Sequence, residues 1–187
     1  STDSEEIASI ARQYGADTPF IRPSKISDDF SGTSTVIDHA IKWLKNNGNQ
    51  VNTACCIYAT APFLHPEFLK KGFNLLIDKG CSTVYSVSSY AFPIFRANYI
   101  DHKDASLSMF WPEYEQTRSQ DLPEAYHDAG QFYWLDVEKF LIEKKIYTND
   151  ALPILIPRHL VQDIDNLEDW IRAEYMYKSI NLLKGAK

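Results

Sequence analysis

Glycine is scarce in this chain, with 7 among 187 residues. No stretch gathers several of them beside lysine or arginine, so a Gly-rich, basic loop able to cradle a triphosphate is missing from the sequence. Cysteine is scarcer still, and Cys55, Cys56 and Cys81 are odd in number. Adjacent cysteines on a strand point to opposite faces, which argues against a disulfide framework and for reduced thiols in a cytoplasmic compartment. Their spacing matches no zinc motif, and the five histidines are scattered singly, as surface or hydrogen-bonded residues are. No apolar run approaches the ~18 residues of a membrane span. Basic charge is not in excess either. A net charge of −6 argues against general binding to nucleic acid or an anionic membrane, though it leaves room for a local basic pocket.

What is present reads as an ordinary soluble globule: 44% hydrophobic and 24% charged residues, too apolar for a disordered chain. The length fits a single domain over residues 1–187. The first residues, Ser1-Thr2-Asp3-Ser4-Glu5-Glu6, are acidic, unlike a signal peptide. They open without Met at a helix cap, as a chain starting inside a domain would.

Asp3 and Glu6 have capping-box spacing, and Ile7, Ile10, Ala11 and Tyr14 follow at helical intervals. Residues 17–34, with Pro19, Pro23 and Gly32, form a long irregular connection. A second helix is expected over about Thr35–Asn46, with Val36, Ile37, Ala40, Trp43 and Leu44 on one face. "NTACCIYATAP" suits a buried strand, and Pro66 a helix N-terminus followed by the stripe Phe68, Leu69, Gly72, Phe73, Leu76. "STVYSVSS" reads as another buried strand. Residues 90–135 are aromatic-rich and strand-like, a candidate insertion. Asp136 caps a short helix, "PILIPRHLVQDI" is strand, and Asn166 opens a long terminal helix. Helices alternating with short apolar strands predict an α/β fold with a mostly parallel sheet covered on both faces. Ligands bind such sheets beyond the strand carboxyl ends, where Thr60, Asp163 and Asp165 are expected.

"VQDIDNLEDW" places Asp163, Asp165, Glu168 and Asp169 within seven positions. If residues 160–165 extend the strand, Asp163 and Asp165 share a face, and two adjacent carboxylates call for a compensating cation. The other reading makes Asp163 a loop residue while Asp165 or Asn166 caps the helix. On these residues alone both stand.

Several segments in order resemble one family: "STDSEEIASIARQYGA", "PFIRPSKISDDFSGTSTVI", "ATAPF", "DAGQFYW" and "VQDIDNLEDWIRAE". Together they span nearly the whole chain. They are similar to sugar cytidylyltransferases of the CMP-sialic acid synthetase group, and within it to the pseudaminic acid cytidylyltransferases. Ala129-Gly130 stands where the N-acetylneuraminate enzymes usually show Asn-Gly. The resemblance implies a Rossmann-like sheet with helices on both faces and a β-rich dimerisation extension over 90–135, hence a homodimer. It also implies that the family's Ala-Arg-Gly-Gly-Ser-Lys loop, on a strand–loop–helix–strand unit before Ser-Thr-Asp, is absent here. The chain as given is therefore expected to be N-terminally incomplete and inactive, and a non-catalytic remnant of the fold is a competing reading.

The implied reaction transfers CMP from CTP to a nonulosonic acid and releases pyrophosphate; pseudaminic acid is favoured, with N-acetylneuraminate or legionaminate as alternatives. No nucleic acid or membrane partner is implied, and flagellar or surface glycan assembly is the implied use. Asp163 and Asp165 match the family's Mg²⁺-binding pair, and Glu168 and Asp169 remain first-turn helix residues. Arg22 matches a nucleotide-contacting arginine, Ser31, Gly32, Thr33 and Ser34 the loop that receives cytidine, and Thr60 a further CTP-site position. Arg96 and Arg118 approximate two basic sugar-site positions, suited to a carboxylate. Gln131 and Tyr133 would face the sugar's acylamino groups, while Phe132 and Trp134 face core or a partner.

Overall fold

A computed structural model of the protein describes residues 1–185. The first helix, α1 (Glu5–Gln13), is capped by Ser4 rather than by Asp3: Ser4 Oγ accepts from the Ile7 N–H at 3.3 Å. Its apolar stripe also departs from expectation. Ala8 is the buried residue, whereas Ile7, Ile10 and Tyr14 are exposed. Periodicity located the helix, but packing selected another face.

α2 (Thr33–Asn46) begins two residues earlier than predicted and buries Ile37 and Ile41. β1 (Thr53–Ile57), α3 (Pro66–Lys79) and β2 (Thr83–Ser89) follow as expected, with Pro66 opening its helix. Residues 90–125 hold less strand than their composition suggested. They contain a short antiparallel hairpin, β3 (Asn98–Ile100) with β4 (Leu107–Met109), among turns and 3₁₀ segments. β5 (Tyr126–Asp136) belongs instead to the main sheet. The Asp136 carboxylate then caps α4 (Val137–Glu143) by accepting from the Lys139 N–H at 3.0 Å. β6 (Leu152–Leu155) and the terminal α5 (Leu167–Gly185) complete the fold.

The four main strands hydrogen-bond in the order β1-β5-β2-β6. Tyr58 donates to the Gln131 carbonyl and Val137 to that of Asn52, so one strand climbs as the other descends and β5 is antiparallel to β1. Asp136 to Ser82 at one end and Tyr90 to Ala125 at the other make β5 antiparallel to β2 as well. Ile156 donates to Val87, and Asp150 accepts from Ser82, so β6 runs parallel to β2. The sheet is thus mostly parallel with one inserted antiparallel strand. That strand is buried at five successive positions, 129–133. Because side chains alternate, both its faces are covered. Gln131 and Tyr133, expected to face the sugar's acylamino groups, share one face of β5 and are buried there, while Phe132 and Trp134 take the other face.

The chain forms two compact bodies. The first comprises Ser1–Cys56, Leu75–Val84 and Tyr133–Leu152, with Ile37, Ile41, Leu76, Val84, Leu135 and Phe140 among its buried residues. The second comprises Ile57–Asn74, Tyr85–Phe132 and the chain from Pro153, with Phe63, Val87, Phe132, Ile156 and Ala173 buried. Among the described residues no helix is long and apolar enough to cross a membrane.

Candidate active site

β6 stops at Leu155, because Pro157 lacks a donor and a 3₁₀ turn, Arg158–Leu160, takes over. Asp163 and Asp165 therefore lie in the loop between β6 and α5 rather than on an extended strand. Their surroundings separate the two earlier readings. Asn166 Oδ1 accepts from the Asp169 N–H at 3.0 Å, while Asp169 Oδ2 accepts from the Asp165 and Asn166 N–H groups at 3.1 and 3.3 Å. This reciprocal capping box uses Asn166 and Asp169. Asp169 Oδ1 is engaged too, accepting from Gln162 Nε2 at 3.2 Å. Capping thus consumes Asp169 and leaves the Asp165 carboxylate without a hydrogen bond or ion pair among the described residues.

Asp163 is held differently. Its Oδ1 accepts from the Thr60 hydroxyl and from the Ile164 N–H, each at 3.1 Å. Its Oδ2 lies 3.3 Å from where a Cβ on residue 130 would stand, a space open only because that residue is glycine, with φ +62°. Asp128 Oδ1 fixes the same turn by accepting from the Gly130 N–H at 2.8 Å. Thr60 follows β1 by three residues and so also lies beyond a strand's carboxyl end.

Both aspartates line a cleft of about 490 Å³ in the second body, within the usual range for small-molecule sites. Strand β5 contributes His127, Asp128 and Ala129 to it. His127 packs edge-on against Tyr90, with ring centroids 5.1 Å apart. The cleft wall also carries Arg158 and Arg172, which the sequence reading missed. One faint signal existed: Asp169 and Arg172 are three apart on a helix and so share a face.

Two hard carboxylates in one cleft, one without a protein donor, suit a Mg²⁺ ion that takes one or two carboxylates and completes its shell with water and phosphate oxygens. Among the described residues no group of three or more acidic, His or Cys side chains is gathered as a protein-only cage.

Other expected residues are placed as follows. In the first body, Arg22 donates from Nε to Ser27 Oγ at 3.0 Å and from Nη2 to Asp3 Oδ1 at 3.2 Å, which fixes its plane. Ser31 donates to Asp28 Oδ1 at 2.7 Å; Gly32 is the N-cap of α2 and brings no side-chain acceptor; Thr33 and Ser34 open the helix. In the second body, Arg96 donates to the carbonyls of Thr117 and Glu115, bracing the irregular segment. Arg118 makes a two-pronged, exposed pair with Asp121 at 2.6 and 3.1 Å. Neither lines the cleft. Gln131 is 2% exposed, and its Nε2 donates to the Leu160 carbonyl at 2.6 Å, tying β5 to the 3₁₀ turn. Tyr133, 1% exposed, packs edge-on against Tyr147 in the first body's core.

Cys55, Cys56 and Cys81 are free thiols. Burial pushes Cys55 up to about 12 and Cys56 up to about 11, and burial also raises Cys81. A thiol so suppressed is no nucleophile at neutral pH.

A family model described as Cytidylyltransferase matches residues 1–181. The pseudaminic acid cytidylyltransferase of Campylobacter jejuni serotype O:2 is 36% identical over 178 residues, covering 95% of this chain and 76% of that protein. The CMP-N,N'-diacetyllegionaminic acid synthase of Legionella pneumophila is 28% identical over 178 residues, covering 93% and 75%. Among solved structures, CMP:2-keto-3-deoxy-manno-octonic acid synthetase complexed with CTP superposes with a TM-score of 0.59, covering 95% of this chain and 78% of that one. At 8% identity that likeness speaks for the fold alone. On its family match and its 36% identity to a relative spanning nearly all of it, the chain belongs to the cytidylyltransferase family.

Proposed function

We propose that this enzyme transfers CMP from CTP to a nonulosonic acid, with pseudaminic acid as the favoured acceptor. The observation that carries the reading is the separation of tasks in residues 163–169: Asn166 and Asp169 cap α5, while Asp163, oriented through Oδ1 by Thr60, and the uncommitted Asp165 carboxylate line one cleft. The 36% identity to a pseudaminic acid cytidylyltransferase supports the choice of acceptor.

In the reaction the acceptor's C2 hydroxyl attacks the α-phosphate of CTP and pyrophosphate leaves. Positioning and charge neutralisation do most of the work in such transfers. Mg²⁺ held by Asp163 and Asp165 would offset the phosphate charge. Thr60 orients the Asp163 carboxylate, and Gly130 leaves room for it. On the nucleotide side, Arg22 offers a guanidinium steadied by Ser27 and Asp3. Ser31–Ser34 offer small polar groups around a helix N-terminus whose glycine cap supplies no acceptor of its own. Arg96 and Arg118, braced in the irregular segment, and Gln131, tied to the 3₁₀ turn, are proposed for the sugar acid. Tyr133 serves the core.

A cytoplasmic homodimer completes the proposal, with the hairpin region as its contact. Tyr99, Ile100, Leu107 and Phe110 are exposed there, and association would cover them. The test is pyrophosphate release by the intact enzyme with CTP, Mg²⁺ and a panel of pseudaminic, legionaminic and N-acetylneuraminic acids. Turnover fastest with pseudaminic acid supports the reading; no turnover with any of them overturns it.

A further inference from the structure

Strand β2 lies inside the sheet, between β5 and β6, where a strand covered on both faces is ordinarily a run of Val, Ile and Leu. It carries Ser86 and Ser88 instead, 0% and 1% exposed. A buried hydroxyl is costly unless it is hydrogen-bonded, so the bonds these two make show what they hold. Neither bonds within its own strand. Ser86 Oγ accepts from the Gln131 and Phe132 N–H groups at 3.3 and 3.2 Å and donates to the Phe132 carbonyl at 3.4 Å. That uses the one donor and two acceptor sites of a hydroxyl. It grips β5 directly after Gly130, the residue whose missing side chain makes room for Asp163. Ser88 Oγ donates to the Ile156 carbonyl at 3.0 Å, while the Ile156 N–H donates to Val87 at 2.8 Å. Ile156 is thus held twice, just past the end of β6 and just before Pro157 leads into the loop that carries Asp163 and Asp165.

Asp163 is where the two gripped segments meet. It is carried by the loop that leaves Ile156, and its Oδ2 faces the space over Gly130. Thr60 and the Ile164 N–H hold Oδ1, each at 3.1 Å, which orients the carboxylate without fixing how far the loop stands from β5. β2 fixes that separation, with one serine for each wall. Resting on the proposed function above, we propose that Ser86 and Ser88 are positioning residues of the metal site: acting through Gly130 and the β6–α5 loop, they set the Asp163 carboxylate where it can take Mg²⁺. Neither touches the metal or a substrate in this role. Ser82, just before the same strand, does the same chemistry to another end, since its Oγ donates to Asp150 Oδ2 at 2.9 Å within the first body.

The test compares the intact enzyme with Ser86→Ala, Ser88→Ala and, as a matched control, Ser82→Ala. Two quantities are read. One is Mn²⁺ binding with CTP and no acceptor, from loss of the free-ion EPR signal against a blank of CTP alone; Mn²⁺ shares the oxygen ligands of Mg²⁺. The other is the Mg²⁺ concentration that gives half-maximal pyrophosphate release. Loss of either clamp weakens Mn²⁺ about tenfold and raises the Mg²⁺ midpoint by a similar factor, while kcat recovers at saturating Mg²⁺. Ser82→Ala lowers the urea midpoint as the other two do, yet keeps both metal readings at wild-type values. If Ser86→Ala does not fold, Ser88→Ala, which removes a single bond, carries the test. Metal readings that stay unchanged in folded Ser88→Ala, or that shift equally in Ser82→Ala, reduce the serines to support of the sheet and overturn the inference. Serine-dependent Mn²⁺ binding by an enzyme that turns over no nonulosonic acid supports the inference and strikes the proposed function, so the two failures are told apart.

Discussion

At position 130 a methyl group would stand 3.3 Å from the Asp163 carboxylate, on a backbone with φ +62°. Gly130→Ala therefore carries two penalties, left-handed strain of about 1–2 kcal/mol and displacement of Asp163. The expected outcome is a lowered urea midpoint together with a weaker response to Mg²⁺, read by denaturant titration and pyrophosphate release. Asp165 and Asn166 are neighbours with opposite tasks, and substitution separates them. Asn166→Ala removes a cap and costs about 1 kcal/mol of stability. Asp165→Asn keeps the shape but removes a charge assigned to the proposed Mg²⁺ site, and should weaken Mg²⁺ by at least the ~10–100-fold that losing a ligand's supporting hydrogen bond costs. Normal turnover of Asp165→Asn across a Mg²⁺ titration would return this residue to a structural role.

Element by element, the first body shows how charge and burial are managed. Asp38 of α2 is pushed up by burial, but ion pairs with Lys144 and with Lys42 (2.7 Å) pull harder, so its pKa lies below the ordinary carboxylate value. With the folded value depressed, the stabilisation is complete above the unfolded value of about 3.9 and is lost as pH falls through the folded value. Wild type should therefore exceed Asp38→Asn in stability near neutral pH, by about 1 kcal/mol or less because solvent screens both lysines. The gap should close below about pH 4; denaturation curves at several pH values measure it, and a gap that persists in acid contradicts the ion-pair account. The β1 thiols supply a second check. With burial raising Cys55 to about 12 and Cys56 to about 11, neither reacts appreciably with a disulfide reagent in the native enzyme at about pH 8, and both react after unfolding.

For the whole molecule, the exposed apolar side chains of the hairpin are more numerous than a small solvated ribbon needs. Tyr99, Ile100, Leu107 and Phe110 all face outward. Sedimentation at micromolar concentration should give a dimer, and Leu107→Lys with Phe110→Lys should shift it to monomer by placing charge in an apolar contact. A clean wild-type monomer would remove the dimer from the proposal.

Local spacing determined much that was legible beforehand. Pro66 opening a helix, Asp136 and Asn166 capping theirs, and the strands after residues 52 and 82 depend on a few neighbouring residues, so their patterns survive in one dimension. Family membership was legible for the same reason, as ordered short segments. The first helix shows the limit: its periodicity was plain, yet Ala8 rather than the Ile7–Ile10–Tyr14 stripe is buried. Only the tertiary structure placed β5 antiparallel between parallel strands, and with it Tyr133 in the core. It alone brought Thr60 onto Asp163, partners 103 residues apart, and set Gly130 against the same carboxylate. It also decided that Asp169 is spent on the cap while Asp165 is open, and that Arg158 and Arg172 share the cleft. These outcomes rest on which distant groups meet and which hydrogen bonds are already satisfied, and residue spacing does not carry either.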